Sequence, residues 1–104
     1  MLWKRVQSSD ENVQDVYNLI CELKQQYPDK KIWMYTGYTW EQIMASNNVR
    51  KWTVLSVDVL AEGLFRLDLQ DINNKQIKWV GSLNQRVIDV KQSVSTNQIV
   101  LFQD

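Results

Sequence analysis

Lys31-Ile32-Trp33-Met34-Tyr35-Thr36-Gly37-Tyr38-Thr39 decides how this chain is read. A short, aromatic-rich apolar run stops at Thr-Gly-Tyr. Thr39-Trp40-Glu41-Gln42 then has the Thr-x-x-Gln form of a capping box, opening a short helix through Ile43 and Met44. The pattern is a strand that ends in a glycine turn and passes into a helix. Ile32 to Thr36 is apolar on both faces except at its end, as expected of a strand covered on either side. Gly37 offers a backbone without a side chain, for a turn with positive φ or for close approach of a ligand. In open α/β proteins, ligands gather at the carboxyl ends of such strands, where backbone amides and a helix N-terminus converge.

Upstream, Ser8-Ser9-Asp10-Glu11 is a second capping box and predicts a helix that begins just after Ser8. Val13, Val16, Tyr17, Ile20, Leu23 and Tyr27 recur at three- and four-residue steps, one apolar stripe on a helix of about five turns. Tyr27-Pro28-Asp29 ends it, because proline cannot continue a helix. Cys21 lies beside the stripe and reads as a small packing residue. Downstream, Asn47-Asn48 breaks the short helix, and a connection through Arg50 and Trp52 leads to a strand over Leu55 to Leu60. Val57 and Val59 share one face of that strand and Asp58 takes the other. Asp58 and Glu62-Gly63 are placed at its carboxyl end, as part of a site or equally of a solvated turn. After the turn-rich Asp71 to Lys75, short strands are expected at Ile77–Val80, Val87–Val90 and Ile99–Phe102, the last two joined by a polar loop, Ser93 to Asn97. Helix, strand, helix, strand in this order predicts an α/β fold of βαβ units, with parallel strands and short C-terminal strands added.

At 104 residues the chain is one domain or a piece of one, and 44% hydrophobic against 23% charged residues describes a globular chain rather than a disordered one. Twelve basic and twelve acidic residues cancel, so no global field draws the chain to nucleic acid or to an anionic membrane, and neither partner is expected. Five tryptophans are assigned to core and interface packing. One cysteine and no histidine exclude an internal disulfide, and a lone thiol holds neither an iron–sulfur cluster nor a structural zinc. No catalytic set and no metal-ligand set is identifiable. Met1-Leu2-Trp3-Lys4-Arg5 is not followed by the apolar core of a signal peptide, and a cytoplasmic location is expected.

Three stretches taken in order carry a resemblance. They are Asp29 to Thr39, Asp58-Val59-Leu60-Ala61-Glu62-Gly63-Leu64-Phe65, and Gly81-Ser82-Leu83-Asn84-Gln85-Arg86-Val87-Ile88-Asp89-Val90, and the ending Gln98 to Phe102 fits as well. The series resembles the later part of the anaerobic ribonucleoside-triphosphate reductase activating proteins, from Glu11 to Asp104. These are radical S-adenosylmethionine (SAM) enzymes. In them a 4Fe–4S cluster, held by a CxxxCxxC loop, binds SAM and cleaves it reductively. The resulting radical abstracts hydrogen from a glycine of the reductase large subunit. The resemblance implies a partial α/β barrel with its site at the strands' carboxyl ends. It assigns Thr36, Gly37 and Tyr38 to a SAM-facing rim and Gly63 to the loop after the next strand. Gly81, Ser82, Asn84, Gln85 and Arg86 fall on the far rim, offering hydrogen bonds to SAM or to the reductase's glycyl loop.

The departures are equally specific. No CxxxCxxC is present, Cys21 does not correspond to it, and Gln7-Ser8-Ser9-Asp10 stands where the family has Gly-Gly-Asp/Glu-Pro. Residues 1–10 are read as a divergent N-terminal segment and 11–104 as the C-terminal part of an activase-like domain. SAM and the cluster are the family's cofactors, but the cluster is not expected in this chain alone, which should be inactive by itself. The alternative is a non-catalytic α/β module that binds the reductase or is a remnant. An uncovered sheet edge in such a fragment predicts self-association.

Overall fold

The computed structural model describes residues 3–7, 13–71 and 80–103. In chain order the elements are Trp3–Gln7 (β1), Val13–Gln26 (α1), Lys31–Tyr35 (β2), Trp40–Ala45 (α2), Val49–Leu55 (α3), Val59–Glu62 (β3), Arg86–Asp89 (β4) and Val90–Thr96 (α4), with a 3-10 turn at Leu67–Leu69. The fold is mixed α/β. The strands lie in the order β1-β2-β3-β4. The first three run parallel, whereas β4 is antiparallel to β3, with Glu62 opposite Arg86. The opening residues, to which the sequence assigned no element, therefore supply an edge strand.

Local signals explain most of the elements. The α1 stripe buries Val16 and Ile20, and the helix stops before Pro28. The Thr39 capping box forms as expected: Gln42 N–H donates to Thr39 Oγ1 (3.2 Å) and Thr39 N–H donates to Gln42 Oε1 (2.9 Å). Asn47-Asn48 ends α2, but it also starts a helix, since the Asn48 side chain accepts from Lys51 N–H (3.4 Å). The segment through Arg50 and Trp52 is thus α3, which buries Thr53 and Val54. The helix carries on through Leu55, so the strand expected over Leu55 to Leu60 begins only at Val59. The signal proposed for a helix start at Ser8 lies outside the described residues.

Asp58 is placed differently from the sequence reading. It precedes β3 and so lies at the strand's amino end, away from the carboxyl-end rim. Its Oδ2 accepts from Ile32 N–H (2.8 Å) and its Oδ1 from Lys91 Nζ (3.0 Å), tying the starts of β2 and β3 to α4. The C-terminal third also differs. Residues 72–79, which include most of the strand expected at Ile77–Val80, lie outside the described residues. The short strand expected at Val87–Val90 is β4, shifted by one residue. Ser93 to Thr96, read as a loop, belong to α4, because Asp89 caps that helix by accepting from Gln92 N–H (3.0 Å). Asn97, at φ 56°, ends it in the left-handed conformation. Ile99 to Phe102 forms no strand, only an isolated bridge between Leu101 and Ile88.

Alternation along β2 and β3 divides the core between the two sheet faces. Ile32, Met34 and Leu60 pack with Val16, Ile20, Ile43, Val54 and Val90 under the helices. Trp33, Val59 and Ala61 face the other way with Val80 and Val87, and Phe102 closes that side edge-on to Trp33, ring centroids 5.2 Å apart. No helix among the described residues is long and apolar enough to cross a membrane.

Candidate functional site

Because β2 and β3 are parallel and β4 is antiparallel to them, the carboxyl ends of the first two and the amino end of the third share one rim of the sheet. This topology brings together Thr36, Gly37, Tyr38, Gly63, Gly81, Ser82, Asn84, Gln85 and Arg86, which the resemblance assigned to a rim from three separate stretches. Thr36 N–H donates to Ala61 O (3.0 Å), Tyr38 N–H to Thr36 Oγ1 (3.2 Å) and Gly63 N–H to Tyr38 O (3.0 Å), so the first two loops are joined directly. Among the described glycines, the left-handed conformation belongs to Gly63 (φ 100°), not to Gly37. Gly63 is buried with Gln85 Cα 3.4 Å from where a Cβ would stand, so both backbone and packing favour glycine there. At Gly81 a Cβ would come within 2.9 Å of the Phe65 ring, so glycine lets that ring lie against the far loop.

The polar side chains of the far loop point into the protein's own backbone. Gln85 Oε1 accepts from Gly81 N–H and Ser82 N–H, both at 3.0 Å, while its Nε2 donates to Gly63 O at 2.9 Å. Asn84 Nδ2 donates to Leu64 O (2.8 Å). The fully buried Ser82 hydroxyl accepts from Arg66 N–H (3.1 Å). It lies 2.7 Å from Asn84 Oδ1 and 3.0 Å from Gln85 Oε1, with one proton to give. These residues form a bracket that holds loop 63–66 against loop 81–85. Outside that bracket stand Leu64, Phe65, Leu67 and Leu83, large apolar side chains left exposed.

Beside the bracket lies a charged cluster. The Glu62 carboxylate is 1% exposed. It accepts from Arg86 Nε (2.8 Å) and Arg86 Nη2 (3.0 Å) in a fork, and from the backbone N–H of Trp40 (2.6 Å). Arg86 Nη2 also reaches the exposed Glu41 carboxylate at 2.6 Å. The two carboxylates, Glu62 foremost, stabilise the guanidinium's proton and raise its pKa. Arg86 in turn holds the Glu41 carboxyl below its ordinary value. The sequence pointed to Glu62 and Arg86 separately, but their pairing depends on the antiparallel register of β3 and β4. Glu41 was missed, and its place in the first turn of a capped helix was the available signal.

The Glu41 contact has a small, signed consequence. A carboxylate with a lowered folded-state pKa stabilises above its unfolded value, and that stability is lost as pH falls through the folded value. Because Glu41 is largely exposed, solvent screening limits the effect, and Glu41→Gln is expected to cost about 0.5 kcal/mol at neutral pH. Denaturant titrations of both proteins should converge as the pH drops below the carboxylate range. A gap that persists in acid would exclude the ion pair as its source.

The family described as "4Fe-4S single cluster domain" matches residues 8–88. Curated relatives carry the name anaerobic ribonucleoside-triphosphate reductase-activating protein. That of Escherichia coli K12 is 32% identical over 77 residues, 74% of this chain and 46% of its own length. That of Vibrio cholerae is 34% identical over 74 residues, 71% of this chain and 44% of its own. The bacteriophage T4 protein is 32% identical over 77 residues, 74% and 44% respectively. The chain thus spans less than half the length of these relatives. No solved structure matches it. The donor set does not fit an iron–sulfur cluster. The chain has one cysteine and no histidine; Cys21 is exposed on α1, where it raises the pKa of the neighbouring Tyr17 phenol. No group of three or more metal-ligating side chains occurs among the described residues. With this difference, the chain belongs to the family of the 4Fe-4S single cluster domain, and its curated homologues are the activating proteins of anaerobic ribonucleoside-triphosphate reductase.

Proposed function

We propose that residues 11–104 of this chain are the C-terminal part of an activating-protein unit for anaerobic ribonucleotide reductase, a piece of a partial radical-SAM-type barrel. The observation that carries this reading is the meeting of the three family-like stretches on one rim of the sheet. In such a unit the SAM-cleaving chemistry would be supplied by an iron–sulfur cluster, which the donor set of this chain does not fit. The cluster's ligands lie outside these 104 residues, and this chain is inactive alone. Its own residues do something else. Glu62, Arg86, Ser82, Asn84 and Gln85 hold the rim loops in place. Thr36, Gly37, Tyr38 and Gly63 shape the wall toward SAM. Leu64, Phe65, Leu67 and Leu83 offer the apolar surface that a protein partner, the reductase large subunit, would cover. The outer edge of β1 adds a route to self-association.

Two measurements test the proposal. Anaerobic reconstitution of the chain with iron and sulfide should give no visible iron–sulfur absorption, and bound cluster in the lone chain would refute the assignment of the ligands elsewhere. A pull-down with the anaerobic reductase large subunit should retain the chain, and Leu64→Asp with Leu67→Asp should release it. Absence of retention in both oxidised and reduced conditions would overturn the partner. Retention without any gain of glycyl radical, even when an intact activating protein's cluster-bearing half is added, would favour a non-catalytic reductase-binding module.

A further inference from the structure

At the end of the sheet opposite the rim, a hollow of about 280 Å³ opens between the carboxyl end of α1, the amino end of β2 and the start of α4. Its wall holds four ammonium groups, Lys24, Lys30, Lys31 and Lys91, against two carboxylates, Asp29 and Asp58. The chain as a whole is neutral, so this excess of cations is a local concentration and not a consequence of composition.

The partners of these groups show where charge is left over. Lys91 Nζ sits 3.0 Å from Asp58 Oδ1, and the other oxygen of Asp58 is taken by Ile32 N–H at 2.8 Å, so that carboxylate is committed. Lys30 and Asp29 meet loosely at 3.8 Å. Lys24 Nζ donates to the Ser56 carbonyl at 2.7 Å, a neutral acceptor that fixes the ammonium in place, and it has no ion pair among the described residues. Lys31, exposed at the first position of β2, has no ion pair among the described residues. Like charges gathered around one concavity repel one another, and an anion seated among them removes that repulsion while gaining charge-assisted hydrogen bonds.

We propose that this hollow is a binding site for a small phosphate-bearing anion with two or more negative charges, of the diphosphate class. Lysine engages phosphate as a point charge, without the planar fork of arginine, so ammoniums arriving from α1, β2 and α4 can each meet a different oxygen. The size of the hollow suits a compact anion. A nucleic acid would instead draw on a field spread over many phosphates, which a neutral chain does not supply. The site is separate from the rim, so its fate and that of the proposed function are independent.

The test is calorimetric titration of the whole chain with inorganic diphosphate, at an ionic strength held constant with potassium chloride. One-to-one saturable binding is expected, tighter than for inorganic phosphate. The double variant Lys24→Met, Lys31→Met should lose affinity by about tenfold or more. Lys51→Met, on α3, should stay within about twofold of the parent. Circular dichroism of each variant establishes that it is folded, and amide NMR shifts in the parent should centre on Ile32 and Ser56. Heats equal to those of the salt control, an unchanged double variant, shifts confined to other parts of the chain, or a single-stranded oligonucleotide that binds more tightly than diphosphate would each overturn the proposal.

Discussion

Replacing Glu62 with alanine is expected to destabilise the chain by about 3 kcal/mol, with the midpoint of thermal unfolding falling by about 10 °C or more. The cost arises from what the side chain leaves behind. Glu62 is essentially fully buried, and three donors converge on it, two from Arg86 and one from the backbone of Trp40. Its loss strands part of a guanidinium and a backbone N–H in a partly buried site, and a buried donor without a partner costs its desolvation. The value sits at the low end for a broken buried pair because the Arg86 side chain is 33% exposed and recovers some hydration. Glu62→Gln should fall between: it keeps an acceptor for Trp40 N–H but loses the charge that faces Arg86. Urea denaturation of the three proteins under one set of conditions checks the order. A Glu62→Ala protein within about 0.5 kcal/mol of the parent would mean that the cluster carries little stability.

Gln85→Ala is the second large effect, about 2 kcal/mol of destabilisation. One amide serves both loops, accepting from the N–H groups of Gly81 and Ser82 and donating to the carbonyl of Gly63. Without it the bracket loses its central link, and the exposed apolar residues of loop 63–66 lose their fixed presentation. Hydrogen exchange should therefore quicken at Gly81 and Ser82 by more than it does in α1, separating local loosening from a global fall in stability. Gln85→Glu isolates the two halves of the contact, since a carboxylate accepts from Gly81 and Ser82 but cannot donate to Gly63. Its stability should lie between those of the parent and the alanine variant. Leu83→Ala, exposed in the same loop, should change little. If Leu83→Ala proved as damaging as Gln85→Ala, apolar packing rather than the amide would be holding the loops together.

Much was determined by residues acting over short distances. The Thr39 capping box, the body of the helix before it at Val13–Gln26 and its stop before Pro28 are written in patterns a few residues long, and the strand expected at Ile32–Thr36 formed one residue earlier, at Lys31–Tyr35. The three family-like stretches were legible in the same way. Other local signals lie in single residues: Asn48 and Asp89 cap α3 and α4, where a connection and a polar loop are expected from the sequence. What only the tertiary structure decided concerns residues far apart in the chain. It placed Asp58 at the amino end of its strand, under Ile32 and Lys91, because α3 extends through Leu55 and delays β3. It reversed β4, and that reversal alone sets Arg86 opposite Glu62 and carries loop 81–85 to the rim. It also turned the amides of Asn84 and Gln85 inward, toward carbonyls about twenty residues away. The physical reason is common to all three: a side chain's chemistry is a property of the sequence, but its partner is set by strand direction and register, which depend on packing the whole sheet.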